Sequence, residues 1–250
     1  VGGAGGGETI RNIENVTGGD GNDQITGDGL ANVLIGGLGD DILSGAGGDD
    51  NLQGGDGDDT VVGGSGSDTL SGGAHTTGDI LDYSASGSAI DGGTLDGGSD
   101  TVTQGADTDT ISGFETLFMT GLDDSINVNV GGMGFTEIDG NGGTDTINVL
   151  DGTLGVEGNT FASLFSDVEE LDFTSTDLGA ADTFDIGNDD IDGIVGAAGG
   201  DLTIFVNTAT IALTDINVLA QSGALISGDS TVGSTRTIDW DNGSQLVIQG

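Results

Sequence analysis

Acidic side chains recur at a fixed spacing between Gly18 and Ser71, where the chain reads as six consecutive units of nine residues. Glycine dominates the first four places of each unit, which indicates backbone turns at positive φ or the close approach of another group. A loop that offers a carboxylate and exposed carbonyls supplies hard oxygen ligands, of which calcium takes about six to eight. We therefore predict a calcium site at these loops. The sixth place of each unit holds the acidic or amide side chain: Asp23, Asn32, Asp41, Asp50, Asp59 and Asp68.

The elements that must position these loops are very short strands. The eighth place of each unit is aliphatic: Ile25, Leu34, Leu43, Leu52, Val61 and Leu70. Neither a helix nor an ordinary strand has a period of nine residues. We expect the last three residues of each unit to form a strand with its central aliphatic side chain pointing inward. Alternate units then stack, so that two units complete one coil of a ladder.

These units resemble the RTX nonapeptide repeats, whose pattern G-G-x-G-x-D-x-U-x builds a parallel β-roll with calcium between stacked turns. In that family, loops two units apart share each ion. The resemblance implies that Asp23, Asp41 and Asp59 line one edge of the roll and that Asn32, Asp50 and Asp68 line the other. Asn32 lacks a charge and Leu30 replaces the fourth-place glycine, so we expect the nearest site to be weak or absent.

The resemblance also implies further ligands and an ion count of about four to seven. Asp79 restores the pattern after an insertion around His75. His75 is the one histidine of the chain, and we interpret it as a loop residue. Asp100 and Asp145 lie in partial repeats, as structural turns or as further ion sites. The loop glycines implied as carbonyl ligands are Gly19, Gly21, Gly37, Gly39, Gly48, Gly55, Gly57, Gly64 and Gly66.

Charge dominates the composition of the 250 residues, with 43 acidic side chains, two basic ones and a formal net charge of -41. This balance excludes nucleic acid as a natural partner, because no basic patch exists to bind phosphates. The sequence has no cysteine, which excludes a disulfide framework, and no run of apolar residues long enough to predict membrane insertion. Self-repulsion should keep the chain expanded until calcium binds.

Repeat-like sequence continues beyond the nonapeptides. We therefore predict an all-β chain that forms a parallel β-roll or β-solenoid with a C-terminal β-rich cap. Segments around Val16, Leu117 and Leu171 form a long-period internal repeat. A short helix is expected over 160–167, and the sequence Asp241-Asn242-Gly243 predicts a hairpin. The expected parts are a leading coil over 1–17, the RTX β-roll over 18–82, a degenerate longer-coil solenoid over 83–188 and a cap resembling a secretion signal over 189–250.

Two functions fit these observations equally well in their chemistry. The first is a calcium-stabilised extracellular module of a secreted bacterial surface protein, an adhesin, surface-layer or matrix filament segment, exported by type I secretion. The second is the non-catalytic C-terminal region of a secreted protease or lipase. We expect no catalytic site in this chain, because its basic residues are few and distant in sequence. Calcium is the expected partner, and self-association and cell-surface glycans are the further partners that the first hypothesis admits.

Overall fold

A computed structural model describes residues 7–9, 14–129, 134–150, 164–173, 185–187, 201–206, 217–219, 226–232, 235–240 and 245–249. Every element within these ranges is a strand, which confirms the all-β prediction. None of the described residues forms a helix with the length and apolar character needed to cross a membrane. The helix expected over 160–167 is wrong for its described part, because Phe165–Ser166 is a strand that pairs with Ile138 and Asp139.

The strands form two large sheets and one small one. The first sheet contains, in spatial order, β1 (Gly7–Thr9), β3 (Gln24–Thr26), β5 (Ile42–Gly47), β7 (Thr60–Ser65), β9 (Ile80–Asp82), β13 (Thr116–Phe118), β15 (Glu137–Asp139) and β17 (Phe165–Ser166). The second begins with β2 (Asn15–Asp20), β4 (Val33–Leu38), β6 (Asn51–Asp56), β8 (Thr69–Ala74), β12 (Asp107–Ser112), β11 (Asp100–Gln104) and β10 (Gly92–Leu95). It continues through β14 (Ser125–Val128), β16 (Thr146–Val149), β18 (Glu170–Phe173), β20 (Asp201–Val206), β24 (Gln245–Gln249), β23 (Thr235–Trp240) and β22 (Ile226–Val232). The small sheet pairs β19 (Asp185–Gly187) with β21 (Asn217–Leu219).

Within the repeats, each coil contributes one strand to each large sheet. Ile25 pairs with Leu43, and Leu43 pairs with Val61, in parallel register. This pairing confirms that alternate units stack and that two units complete a coil. The strands are longer than predicted, because pairing continues into the first three places of the following unit, as between Gly37 and Gly55.

The core is a ladder of inward-pointing aliphatic side chains. All six eighth-place residues are buried. The same ladder continues past the repeats, since Leu81 pairs with Leu117 and Leu117 with Ile138. Apolar burial at each coil supplies a hydrophobic stabilisation that does not depend on metal.

An antiparallel meander interrupts the second sheet. β12 pairs in parallel with β8, β11 pairs antiparallel with both β12 and β10, and β10 then pairs in parallel with β14. The first sheet has no counterpart to it, because β13 lies directly against β9. Sequence analysis did not predict this meander within the longer-coil region.

The C-terminal strands end the second sheet. β23 and β24 pair antiparallel, with Asp239 opposite Gln245, which confirms the predicted hairpin. β22 extends the same antiparallel arrangement beyond β23. The strands therefore return to antiparallel pairing at this end of the sheet.

Candidate metal centre

The sixth-place aspartates are linked from coil to coil by their own hydrogen bonds. The Asp23 N–H donates to Asp41 Oδ1 over 2.7 Å, and the Asp41 N–H donates to Asp59 Oδ1 over 2.7 Å, each across 18 residues. On the other edge, the Asp50 N–H donates to Asp68 Oδ1 over 2.8 Å. The carboxylates therefore form one column on each edge of the roll, as the resemblance implied.

The second oxygen of these carboxylates has no partner. It is fully buried, whereas a buried carboxylate oxygen ordinarily accepts hydrogen bonds, and leaving one unsatisfied is costly. A cation is a partner that supplies what the protein does not. The residues with such an unpartnered Oδ2 are Asp23, Asp41, Asp50, Asp59, Asp68, Asp79 and Asp145.

A backbone carbonyl oxygen faces each of several of these orphaned atoms. A methyl group built on Gly36 would overlap Asp41 Oδ2 and lie 2.6 Å from the carbonyl oxygen of Gly54, one coil further on. A corresponding pair of oxygens lies at Gly54, where an added methyl group would meet Asp59 Oδ2 and the Gly72 carbonyl oxygen. Two acceptor oxygens that face the same space, with no hydrogen-bond donor between them, repel each other. This donor set of carboxylate and carbonyl oxygens fits calcium.

The pKa values of Asp41, Asp50, Asp59 and Asp68 are raised to about 6, mainly by burial. The backbone N–H donors lower these pKa values, and the like charges of neighbouring acidic residues raise them. Burial likewise raises the pKa of Asp145 to about 7. These directions show that the folded chain destabilises its carboxylate anions. A bound cation would reverse that effect, because opposite charge favours the ionised form.

Asn32 differs from the aspartates of its column. Its side-chain oxygen accepts a local hydrogen bond of 2.8 Å from the Asp28 N–H, whereas its own N–H donates to Asp50 Oδ1 over 2.7 Å. Asn32 therefore begins its column with its side-chain oxygen already satisfied. The weak or absent ion site expected beside it stays a prediction.

The predicted loop glycines position the turns. All of the second- and fourth-place glycines named above have positive φ, from +97° at Gly48 to +139° at Gly57. A methyl group on Gly55 would overlap the carbonyl of Gly37, so the coils stack too closely there for a side chain. The repeat pattern predicts these glycines but not the first-place carbonyls, such as those of Gly36 and Gly54, which lie beside the orphaned oxygens.

The carboxylate columns extend beyond the repeats through residues that the sequence did not single out as ligands. The Asp79 N–H donates to Glu115 Oε2 over 2.9 Å, and the Asp68 N–H donates to Asp109 Oδ1 over 2.8 Å. A further column joins Asp124 to Asp145 over 2.8 Å and Asp145 to Glu169 over 2.9 Å. The signal available in the sequence was an Asp or Glu two residues before a buried aliphatic residue, as in Glu115-Thr116-Leu117 and Asp124-Ser125-Ile126.

Two of these added carboxylates are satisfied by the protein itself. The Tyr83 hydroxyl donates to Asp109 Oδ2 over 2.6 Å, and the Thr120 N–H donates to Asp124 Oδ2 over 2.7 Å. Asp145 has a stacked neighbour on each side and keeps an orphaned Oδ2, so it belongs with the repeat aspartates. Asp100 does not, because its Oδ1 accepts hydrogen bonds from Asp96 and Gly97 in a local turn.

Comparisons with known proteins agree with this geometry over the repeats. A family model of the RTX calcium-binding nonapeptide repeat, which comprises four copies, matches residues 17–52 and 44–74. A search of curated proteins found no match. Among solved structures, the extracellular lipase LipA from Serratia marcescens is similar at 14% identity with a TM-score of 0.26, over 97% of this chain and 40% of the lipase chain. The chain thus spans less than half of that lipase, and a likeness at this level carries no argument. The similarity to the RTX calcium-binding nonapeptide repeats is therefore shown for residues 17–74 of this chain.

Proposed function

We propose that this chain is a calcium-stabilised structural module of a secreted bacterial protein, which folds when it meets calcium outside the cell. The observation that carries the proposal is the series of buried carboxylate oxygens without a hydrogen-bond partner, one at each sixth-place aspartate of the six nonapeptide units. A protein that orders these loops without a cation must bury unsatisfied acceptors, at a cost of about 1–3 kcal/mol each. Calcium removes that cost at every coil.

The proposed ligands are the orphaned aspartates of the six repeats, Asp23, Asp41, Asp50, Asp59 and Asp68, together with the loop carbonyls that face them. About four to seven ions would bind between residues 18 and 82, at oxygen distances of about 2.3–2.6 Å. Asp145 would hold a further ion in the longer-coil region, where a methyl group on Gly140 would overlap its Oδ2. Each ion would bridge two coils and offset the repulsion between their carboxylates.

The extracellular location follows from the affinity expected of such sites. Extracellular calcium modules hold their ion at about 10⁻⁴ to 10⁻³ M, so their sites stay empty in a cytosol and fill outside the cell. The net charge of -41 adds a repulsion that disfavours the metal-free fold. We infer that the chain leaves the cell unfolded and gains its structure after export.

A structural role, in an adhesin, a surface layer or a matrix filament, fits the length of the solenoid better than a role as a folding aid. Parallel pairing resumes after the antiparallel meander and reaches β17 in the first sheet and β20 in the second, well beyond the nonapeptides. We infer the same four parts as the sequence predicts: a leading coil, the roll, a longer-coil region and a cap. Catalysis has no place in this proposal.

The test is a calcium titration of the full chain followed by circular dichroism. We expect a steep, reversible change from coil to β-structure, and an Asp41→Asn variant should need more calcium because an amide replaces a carboxylate with an orphaned oxygen. Asp40→Asn is the matched control, since Asp40 is the exposed neighbour and its loss removes the same charge. A chain that is fully β-folded in excess chelator at neutral pH, or equal shifts in the two variants, would overturn the proposal.

A further inference from the structure

The last nonapeptide-like unit places the one histidine of the chain at the end of a carboxylate column. Asp79 follows Asp59 in that column across 20 residues rather than 18, because the loop before Asp79 is longer. His75 stands at the fourth place of this unit, where the preceding units of the same edge have Gly39 and Gly57. An imidazole side chain thus lies beside the column at a place where the preceding units have glycine.

Three side chains from two segments converge at this point. His75 Nδ1 lies 3.1 Å from Glu115 Oε2 and 3.8 Å from Asp79 Oδ2. The three ligand atoms all lie within 4.8 Å of one another. Asp79 is completely buried, and its Oδ2, which is the oxygen nearest the imidazole in this contact, has no hydrogen-bond partner. The cluster therefore contains a buried, unsatisfied anion and not only exposed acidic groups.

The surrounding hydrogen bonds hold the ligands in place. The Asp79 N–H donates to Glu115 Oε2, and Asp79 Oδ1 accepts the Asp59 N–H over 2.8 Å. The loop after His75 is fixed by Asp58, whose Oδ1 accepts the N–H groups of Thr76 and Thr77 over 2.8 and 2.7 Å. Outer partners of this kind orient metal ligands and set their affinity.

The imidazole decides which ion this cluster favours. Calcium takes oxygen ligands, whereas imidazole nitrogen suits zinc and its neighbours in the first transition series. Tetrahedral zinc, with bonds of about 2.0–2.1 Å, places its ligand atoms about 3.4 Å apart. The observed separations of 3.1 and 3.8 Å bracket that value. The His75 side chain is 35% exposed, so a water molecule can take the fourth position and an ion can enter from solvent.

We propose that His75, Asp79 and Glu115 form a binding site for a divalent transition metal, with zinc as its probe, distinct from the calcium sites of the roll. The metal would link the loop of the last repeat to the segment before β13, which lies 36 residues beyond Asp79. Asp79, which the sequence assigned to the calcium ligands, would then turn its Oδ2 toward an imidazole-containing site. The end of the roll would be fixed to the next coil by an ion of a different class.

The test is a zinc titration of the untagged full chain in saturating calcium, by calorimetry. We expect one equivalent of zinc bound by the wild type and lost, or weakened at least about tenfold, in His75→Gln and Glu115→Gln. Glu137→Gln is the control, because Glu137 is exposed on the neighbouring strand β15 and the variant keeps its backbone N–H, which donates to the Glu115 carbonyl over 3.1 Å. The calcium-induced dichroism of each variant is measured separately, so a failure of calcium-driven folding is distinguished from a failure to bind zinc.

The single histidine allows a direct second readout. Zinc should shift the ¹⁵N resonance of the His75 Nδ1 nitrogen in the calcium-loaded protein, and Cu²⁺ should give an electron paramagnetic resonance spectrum with coupling to one nitrogen. Equal zinc binding by wild type and His75→Gln, or an unshifted Nδ1 resonance at full zinc loading, would show that the cluster is only an ion pair between His75 and Glu115. Because His75 lies in an exposed loop, His75→Gln should fold even if Glu115→Gln does not.

Discussion

The roll over 18–82 and the coils that follow it stack their carboxylates in the same way but treat the second oxygen differently. In the roll, Asp41 and Asp59 bury an Oδ2 that no protein group contacts by a hydrogen bond. In the following coils, Asp109 receives the Tyr83 hydroxyl and Asp124 receives the Thr120 N–H. One geometry thus has two ways to satisfy a buried anion, an external cation or an internal donor. We infer that dependence on calcium is set coil by coil, by the presence or absence of such a donor.

Removal of calcium by a chelator should give the largest difference in stability between the two regions. The size of that difference should depend on pH. Folded carboxylates such as Asp41 hold a proton up to a pH of about 6, whereas unfolded ones do so only to about 4. The folded chain therefore binds more protons between these values, and its free energy of unfolding falls as pH rises through them. In the presence of chelator, the amides of β5 and β7 should be protected from hydrogen exchange at pH 4 and should lose that protection at pH 7.

The following coils provide the internal reference for that measurement. Amides of β11 and β12 should keep more of their protection in chelator at pH 7 than those of β5, because the adjoining Asp109 has its own donor. Equal loss of protection in both regions, or protection of β5 that does not change with pH, would contradict a coil-by-coil dependence.

Asp41→Ala should weaken calcium binding more than Asn32→Ala. Asp41 lies in the middle of its column and offers an orphaned Oδ2, while the Asn32 oxygen already accepts the Asp28 N–H. We expect a loss of about tenfold or more in calcium affinity, about 1.4 kcal/mol, for Asp41→Ala and a smaller one for Asn32→Ala. Titration calorimetry measures both, and similar losses would refute the column scheme.

Tyr83→Phe should turn one satisfied carboxylate into an orphan of the kind found in the roll. The variant removes the donor to Asp109 Oδ2, and we expect it to lower the free energy of unfolding by about 1–3 kcal/mol in saturating calcium. Urea denaturation measures this change. Thr120→Val is the matched comparison and should cost less, since the Thr120 N–H still donates to Asp124 Oδ2. A Tyr83→Phe protein as stable as the wild type would mean that the hydroxyl is not needed.

Ala46→Gly should give the smallest effect, a stabilisation of about 1 kcal/mol or less. Ala46 holds the second place of its unit with φ of +75°, where the neighbouring units have glycine. Gly64→Ala is the reciprocal change, and its methyl group would overlap the Ala46 carbonyl. Thermal unfolding in calcium should therefore shift upward in the first variant and downward in the second. Shifts in the same direction would exclude backbone strain as the cause.

The register of the roll could be predicted because every unit has both signals, an aspartate or asparagine for the loop and an aliphatic residue for the core. The first-place carbonyls that lie beside the orphaned oxygens could not, since backbone oxygens carry no signature in side-chain identity, and the first-place glycines looked like turn residues alone. Asp109 escaped notice because it stacks on Asp68 from 41 residues away, outside any regular period. The meander left a signal in the sequence that the repeat pattern obscured, threonine at every second position on either side of Gly105: Thr101, Thr103, Thr108 and Thr110.

The antiparallel meander also bears on the order in which the chain acquires its structure. β10, β11 and β12 are joined by short connections, so their pairing closes small loops, while each pair of parallel strands in the roll must enclose a whole coil. We expect the meander to form first and to serve as a template, with β12 receiving β8 on one side and β10 receiving β14 on the other. Growth would then run outward in both directions, one coil at a time. Pulse-labelled exchange during refolding tests this route, and protection of β5 before β11 would rule it out.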